Sequence, residues 1–245
     1  MSEILFFIVI LLANTIQGVT GFAGTILAMP FSLRLVGYEV AVPVLNLLGI
    51  LAGIYVFVFN VKSVRVKELI KVVAVMAVSM LVGIGLKNLL SDYSRVTYVA
   101  LGVIVLIIAL KGLYEMFLKK ESETKHEQSK LVSGMLLILA GIVHGVFVCG
   151  GPLLVGYLTT RIKDKKEFRA TISTCWIFLN GLLMASQIKQ GMWTGDVIRA
   201  GLISIPFLVG GMVLGSILCK RMNQRTFLIL TYVLLVIAAI SLFVK

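Results

Sequence analysis

Charged residues are scarce in this chain of 245 residues. Only 14% of the residues are Asp, Glu, Lys or Arg, and 59% are hydrophobic. Soluble domains are about 25% charged and about 45–50% apolar. A soluble fold of this length could not bury so much apolar surface, whereas a lipid bilayer can accommodate it. The composition therefore excludes an ordinary soluble domain and indicates a membrane protein.

Residues that carry metal or redox chemistry are also few. The chain has two histidines and three cysteines, and Cys149, Cys175 and Cys219 lie in apolar segments without CxxC or metal-ligand spacing. No GxxxxGK[ST] loop is present, so we do not expect direct ATP coupling within this chain. We predict no cofactor, no metal and no enzymatic activity. A membrane-embedded enzyme, the least favoured class, would need clustered His, Cys, Asp or Glu inside the membrane.

The positive charge does not indicate nucleic-acid binding. The net charge is +12, but the basic residues lie in short loops between apolar segments, as topology signals do. We expect no nucleic-acid partner, because no soluble basic domain is present. The opening MSEILFFIVILLANT lacks a basic start and a small-residue cleavage site, so we expect a first membrane helix rather than a signal peptide.

Apolar segments without strand-like alternation run along the whole chain. Lipid offers no hydrogen-bond partner for backbone N–H and C=O groups, so membrane-spanning segments must be helices or strands of a closed barrel. Runs of about 20 apolar residues match the length of a membrane-spanning helix and favour helices. The predicted segments are Ile4–Val19, Thr25–Val36, Val40–Phe59, Leu69–Leu90, Val96–Leu118, Leu131–Val148, Pro152–Thr160, Ala170–Ile188, Val197–Leu218 and Thr226–Val244. We predict an all-α polytopic membrane protein.

Two regions, Ile4–Val36 and Leu131–Thr160, are too long for one untilted crossing and are interrupted by glycines. If each is a hairpin that enters and returns, 17 of the 23 Lys and Arg residues lie on the cytoplasmic side. If each crosses once, the division is 12 against 11. The positive-inside rule favours the hairpins. We expect a multi-pass protein of the cell membrane with both termini extracytoplasmic.

The two halves of the chain resemble each other. Gln17-Gly18-Val19 matches His144-Gly145-Val146, and Gly24 matches Gly151, both at a spacing of 127 residues. We predict two inverted-topology repeats, each a broken-helix hairpin plus three transmembrane helices, because an odd number of passes inverts the second copy. Chance matching of glycine-rich helices is the alternative. The predicted domains are a first repeat, 1–118, a charged cytoplasmic linker, 119–130, and a second repeat, 131–245.

Each hairpin contains a glycine-rich break, and the two breaks carry the predicted substrate site. A helix that restarts after a break presents N–H groups and the positive end of its dipole to an anion. In inverted repeats the two breaks would converge near the midplane and hold a small oxyanion without a membrane-embedded lysine or arginine. Tight helix packing is the structural alternative for these glycines.

The candidate substrate-binding residues belong to these breaks or border them. They are Gln17, Gly18, Thr20, Gly21, Gly24, Thr25, His144, Gly145, Cys149, Gly150 and Gly151. His144 could donate to an anion or carry a coupled proton, and an interhelical hydrogen bond is the alternative. For polar residues of the later helices, such as Asn46 and Asn180, we expect interhelical bonds. Trp176 is a candidate for closing the pocket, and we expect Arg169 to be a cytoplasmic anchor.

Three stretches carry a family resemblance that covers nearly the whole chain. QGVTGFAGTILAMP, HGVFVCGGPLLVGYL with KEFRATIST downstream, and GGMVLGSILCKRM resemble the sulfite exporter TauE/SafE family. The resemblance implies a permease for sulfite, sulfonates or related organic anions, with substrate bound around the two breaks. The second break departs from the first, since Val148 stands opposite Gly21 and Tyr157 opposite Pro30. We therefore expect the second break to differ in shape.

These observations favour a secondary transporter that moves a small anion by alternating access, because inverted repeats with broken helices are typical of such carriers. An anion channel is the alternative. The expected partners are the small anionic substrate and the lipid bilayer. A coupling proton or ion and a homo-oligomer stay open.

Overall fold

A computed structural model describes residues 2–90, 94–117, 130–148 and 150–243. Within these ranges every regular element is helical, which confirms the all-α prediction. The helices are α1 (Ser2–Thr20), α2 (Gly24–Asn60), α3 (Val66–Leu90), α4 (Ser94–Phe117), α5 (Lys130–Phe147), α6 (Gly151–Arg161), α7 (Lys165–Lys189), α8 (Gly195–Arg221) and α9 (Gln224–Phe243), with a 3-10 turn, Val61–Ser63, after α2.

The helices have the length and the surface of membrane-spanning segments. Among the described residues, α1, α2, α3, α7 and α8 are long and apolar enough to cross a bilayer. Large apolar side chains on their outer faces, such as Phe59 at 71% and Ile70 at 63%, are exposed. Water would penalise this arrangement and lipid does not. The chain is a multi-pass membrane protein.

Gly37 divides α2 into two segments. Its dihedral angles, φ 75° and ψ 170°, are not helical, although the residues on both sides are. A side chain strongly disfavours this conformation, and glycine adopts it freely. A Cβ added at Gly37 would have nothing within 4 Å, so the backbone angle rather than crowding requires glycine. The interruption falls in the gap predicted between Val36 and Val40.

The helices form two compact units that do not coincide with the predicted halves. Unit 1 contains Met1–Val73 and Lys166–Met222, and unit 2 contains Ala74–Lys165 and Asn223–Lys245. Each unit therefore takes helices from both halves of the chain. The division into repeats at 118 and 131 stays a prediction, and linker residues 119–129 lie outside the described residues.

In unit 1, helices pack closely at small residues. Along α1 and α8 the contacts advance in the same direction, from the stacked rings of Phe7 and Phe207, 5.1 Å apart, to Gly18 against Gly215. These two helices are therefore parallel. A Cβ added at Gly53 of α2 would lie 2.6 Å from the carbonyl oxygen of Ser173 in α7. Such contacts let neighbouring helix backbones approach each other closely.

In unit 2, glycines of α5 pack against α3. Gly141 contacts Ser79, and Gly145, one turn further on, contacts Met80. The contacts again advance in the same direction, so α5 and α3 are parallel. In the same unit Gly112 of α4 lies against the ring of Tyr232 in α9.

Candidate functional site

The first break turns the chain at Gly21. This glycine has φ 85°, and its N–H donates to the carbonyl oxygen of Gln17 at 2.7 Å. The chain then reverses, because a Cβ added at Gly24 would lie 2.7 Å from Gln17 Cβ and 2.9 Å from the carbonyl oxygen of Ala13. The start of α2 therefore folds back against the last turns of α1.

The side chain of Gln17 closes this turn. Its Oε1 accepts a hydrogen bond from the N–H of Gly24 at 2.8 Å, and its Nε2 donates to the carbonyl oxygen of Gly21 at 3.2 Å. Gln17 is also buried. One oxygen and one N–H of the amide thus hold the break, and substrate binding by Gln17 stays a prediction.

Thr20 supports the same turn. Its Oγ1 donates to the carbonyl oxygen of Ile16 at 2.9 Å and accepts long hydrogen bonds of 3.4 Å from the N–H groups of Phe22 and Ala23. Buried backbone donors require partners, and here a side chain supplies them. Thr20 is therefore part of the scaffold of the break.

The start of α2 retains fewer open N–H groups than a bare helix terminus. The Gly24 N–H is bonded to Gln17. The N–H groups of Thr25 and Ile26 are the next two in the chain, and neither has an acceptor among the described residues. An anion at this helix start could reach only these two donors of the first turn.

The carbonyl oxygen of Gly21 fastens the break to α7. Besides Gln17, it accepts from Trp176 Nε1 at 3.1 Å and from Ser173 Oγ at 3.4 Å. The indole N–H of Trp176 anchors the backbone of the break, and its role in closing a pocket stays a prediction. Three donors on one oxygen fix the orientation of this peptide.

Gly18 fits the structural alternative for the glycines. A Cβ at this position would lie 3.0 Å from the carbonyl oxygen of Met212 and 3.1 Å from the Cα of Gly215, both in α8. The missing side chain allows α1 and α8 to touch through their backbones. Gly18 stays a predicted substrate residue, and its packing role is a finding.

Arg169 of α7 lies beside the break and is buried, with 7% of its surface exposed. Its carbonyl oxygen lies 3.1 Å from the position of a Cβ at Gly21. Its Nη2 donates to Ser216 Oγ at 2.7 Å, while Nε has no partner among the described residues. We expected Arg169 to be a cytoplasmic anchor, and the structure shows a buried side chain that bonds to Ser216 of α8.

A polar layer joins α2 to α7 below the break. Asn46 Nδ2 donates to the carbonyl oxygen of Asn180 and to Oε1 of Gln187, both at 3.1 Å, so Asn46 makes the kind of interhelical bond expected of it. Asn46 Oδ1 is buried without a partner among the described residues. A Cβ at Gly49 would lie 2.5 Å from Asn180 Nδ2 and 3.8 Å from Thr25 Oγ1. Thr25 therefore borders this layer.

The second break, in unit 2, has its own turn. The N–H of Val148 donates to the carbonyl oxygen of His144 at 2.9 Å, and the N–H of Leu154 donates to that of Gly150 at 3.2 Å. Val148 has φ 57°. Cys149, a predicted substrate residue, lies outside the described residues.

The backbone of the second break repeats that of the first. In the first break, 127 residues earlier, Gly21 bonds to Gln17 at 2.7 Å and Leu27 bonds to Ala23 at 3.1 Å. The left-handed residue also recurs, since Val148 stands opposite Gly21. At these positions the backbones of the two turns correspond, and the expected difference in shape between the two breaks stays a prediction, since Cys149 lies outside the described residues. Neighbouring bonds hold Val148 in the conformation that glycine adopts freely.

The remaining candidates in unit 2 cluster around this turn. His144 is buried, and its Cβ lies 2.8 Å from the position of a Cβ at Gly150. Gly145 contacts the backbone of α3. Gly151 begins α6, and Pro152 occupies the first helical turn, where its missing N–H costs no hydrogen bond. The convergence of this break with the first stays a prediction, since the two belong to different units.

Three residues at the first break and the polar layer were missed from the sequence as site residues: Arg169, Ser216 and Gln187. One signal was present for Arg169, because no charged residue follows it until Lys189. That run places Arg169 within an apolar helix rather than in the preceding loop. The sequence around Ser216 and Gln187 gives no such signal, since either residue could equally lie on the lipid-facing surface or in contact with solvent.

Comparisons with known proteins give one match. A family model described as "Sulfite exporter TauE/SafE" matches residues 6–242. No curated protein and no solved structure is significantly similar to the chain. Within the described ranges, no three His, Cys, Asp or Glu residues lie close enough together to hold a metal ion.

Proposed function

Since the chain belongs to the sulfite exporter TauE/SafE family, a family of membrane transporters, we propose that it moves a small anion across the cell membrane by alternating access. The substrate class is sulfite, a sulfonate or a related organic anion. The observation that carries the proposal is the repeated break. Two turns with the same backbone bonds, 127 residues apart, interrupt two helix pairs at matching positions, as in carriers built from repeats.

Packing within the two units supports the inverted repeat. In unit 1 the first helix of the first hairpin, α1, lies parallel to α8. In unit 2 the first helix of the second hairpin, α5, lies parallel to α3. In both units a glycine of that first helix contacts the backbone of its neighbour, Gly18 against Gly215 and Gly145 against Gly83. Each hairpin therefore packs against the second-last helix of the opposite half of the chain, α8 for the first hairpin and α3 for the second. This is expected if the two halves are equivalent.

The chemistry of the first break supports an anion rather than a cation. The open donors at the start of α2 are the N–H groups of Thr25 and Ile26, at the positive end of the helix dipole. No Asp or Glu belongs to the sequence of either break, 17–25 or 144–151. Cation carriers use such carboxylates inside the membrane. The predicted site residues Gly24, Thr25 and Gly151 stay in this proposal as the residues nearest to the anion.

The orientation of the chain in the membrane follows from the distribution of its basic residues. With both hairpins re-entering, both termini are extracytoplasmic and most Lys and Arg residues face the cytoplasm. Alternating access then requires an inward and an outward form that expose the same breaks in turn. A coupling proton or ion and a homo-oligomer are compatible with this scheme, and neither is needed for the argument.

Flux into proteoliposomes tests the proposal. Purified protein is reconstituted, and uptake of sulfite, thiosulfate, methanesulfonate and acetate is measured against empty vesicles. A carrier gives slow uptake that saturates with concentration, whereas a channel gives fast flux that does not saturate. Absence of flux for all four anions would contradict the proposal, and unsaturable flux would favour the channel.

Variants in the breaks make the test specific. Gly24→Leu and Gly151→Leu should abolish uptake, because their side chains would fill the space next to each helix start. Gly181→Leu is the control, since a Cβ at Gly181 has nothing within 4 Å. Unchanged uptake by both break variants would remove the breaks from the site.

A further inference from the structure

The guanidinium of Arg169 is a buried positive charge without a compensating negative one. Its side chain has one hydrogen-bond partner among the described residues, Ser216 Oγ, and no carboxylate of the described residues pairs with it. The titratable side chains near enough to influence it are Tyr55 and Cys219, and neither is a carboxylate. Arginine stays charged in proteins, so this charge is buried within an apolar helix bundle unmatched.

Burying an unmatched charge is costly. A charged side chain inside a membrane protein is normally paired or lines a functional cavity. Nε of Arg169, with its N–H, is buried and has no partner among the described residues. A guanidinium carries its five N–H donors in a planar fork, so Nε and a terminal N–H point to the same side. The buried Nε–H calls for an acceptor, and the positive charge favours one that carries negative charge.

Arg169 is also placed at the first break. Its carbonyl oxygen lies against Gly21, and its partner Ser216 follows Gly215, which contacts Gly18. Through its carbonyl oxygen Arg169 thus contacts the turn at Gly21. Through its side chain it reaches Ser216, the residue of α8 that follows Gly215. The N–H groups of Thr25 and Ile26 belong to the helix that starts from this same break.

We infer that Arg169 binds the anionic group of the substrate and selects oxyanions with two oxygens on one centre. The inference rests on the proposed function and adds the residue that supplies the charge. A sulfonate, sulfite or carboxylate can accept from Nε and from a terminal N–H at once, as a bidentate pair. A halide has a single centre and cannot use the fork, so Arg169 favours the oxyanion.

Binding to the purified protein in detergent tests this role. Wild-type affinity for sulfite, methanesulfonate and chloride is measured by calorimetry. Arg169→Gln should weaken binding of sulfite and methanesulfonate at least about 30-fold, the loss typical of removing one partner of a buried charge pair. Arg169→Lys should restore part of the affinity and lose the preference over chloride, because an ammonium has no fork.

Arg65→Gln is the matched control. Arg65 pairs at 2.8 Å with Glu167, which lies two residues before Arg169 in α7. The side chain of Arg65 is 61% exposed. Its loss should leave anion affinity within about 2-fold, since exposed pairs contribute little. Unchanged affinity in a folded Arg169→Gln protein would overturn the assignment.

A measurement on the wild type covers the case in which Arg169→Gln does not fold. In protein labelled with ¹⁵N-arginine, the Nε resonance of Arg169, assigned by its loss in Arg169→Lys, should move on titration with methanesulfonate. A resonance that stays fixed while the protein binds the anion would also overturn the assignment. If the wild type neither binds nor transports these anions, the proposed function itself is wrong.

Discussion

The side-chain oxygen of Gln17 accepts a hydrogen bond from the backbone N–H of Gly24 at 2.8 Å, across the break between α1 and α2. The same amide donates to Gly21 at 3.2 Å. One buried side chain therefore supplies a partner for two of the backbone groups at the interruption. The break is therefore an ordered turn whose backbone groups have specific hydrogen-bond partners.

Gln17→Leu should lower the free energy of unfolding by about 1–3 kcal/mol, because the buried N–H of Gly24 loses its acceptor while the volume of the side chain is nearly kept. Thermal unfolding in detergent measures the change. Gln190→Leu is the control, since Gln190 is exposed and bonds only to Ser186 nearby. Equal stability of the wild type and Gln17→Leu would show that the bond does not hold the break.

Val148→Gly should stabilise the protein by about 1 kcal/mol. Val148 has φ 57°, which costs a β-branched residue about 1–3 kcal/mol and costs glycine little. The gain is reduced by the greater freedom of glycine in the unfolded chain. Val146→Gly, in the helical turn just before, should instead destabilise, because it removes a buried side chain from a helix. A lower melting temperature for Val148→Gly would contradict the strain.

Gly18→Ala should destabilise unit 1 by about 1–3 kcal/mol, since the added Cβ lies 3.0–3.2 Å from backbone atoms of α8 that cannot rotate away. Gly181→Ala in α7 has open space and should stabilise by about 0.5–1 kcal/mol through helix propensity. The two variants are compared by thermal unfolding. Opposite signs are expected, and a stabilising Gly18→Ala would mean that α1 and α8 are not in contact.

Cysteines at positions 34 and 62 should react from opposite sides of the membrane. Arg34 and Lys62 are exposed, and the second segment of α2 runs between them for about 35 Å, enough to cross the hydrocarbon core. Arg34→Cys and Lys62→Cys are made in a chain whose native cysteines are alanine, and are labelled with a membrane-impermeant maleimide. Labelling from the same side would contradict the hairpin topology.

The sequence by itself was sufficient for the class of protein, the helices and the places where they stop. These features depend on local chemistry, since long apolar runs require helices in lipid and glycines permit the turns at Gly21 and Gly37. The repeat spacing also located the second turn, although Val148 replaces glycine there. That Asn46 makes an interhelical bond was predictable, because an amide in an apolar bundle needs a polar partner; which residue accepts the bond was not.

Only the tertiary structure decided what those residues do. Hydropathy does not say which helix lies beside which, since in lipid the choice depends on the fit of two surfaces. The contact of α1 with α8, a helix of the other half, is such a choice. It brings Ser216 of α8 next to the break, where Arg169 donates to it. The reversal of the chain after Gly21, in turn, places the side chain of Gln17 against the N–H of Gly24. From the sequence, a charged residue near a helix end, such as Arg169, is interpreted as a topology signal. Whether its side chain is buried depends on a partner that is distant in the chain, here Ser216.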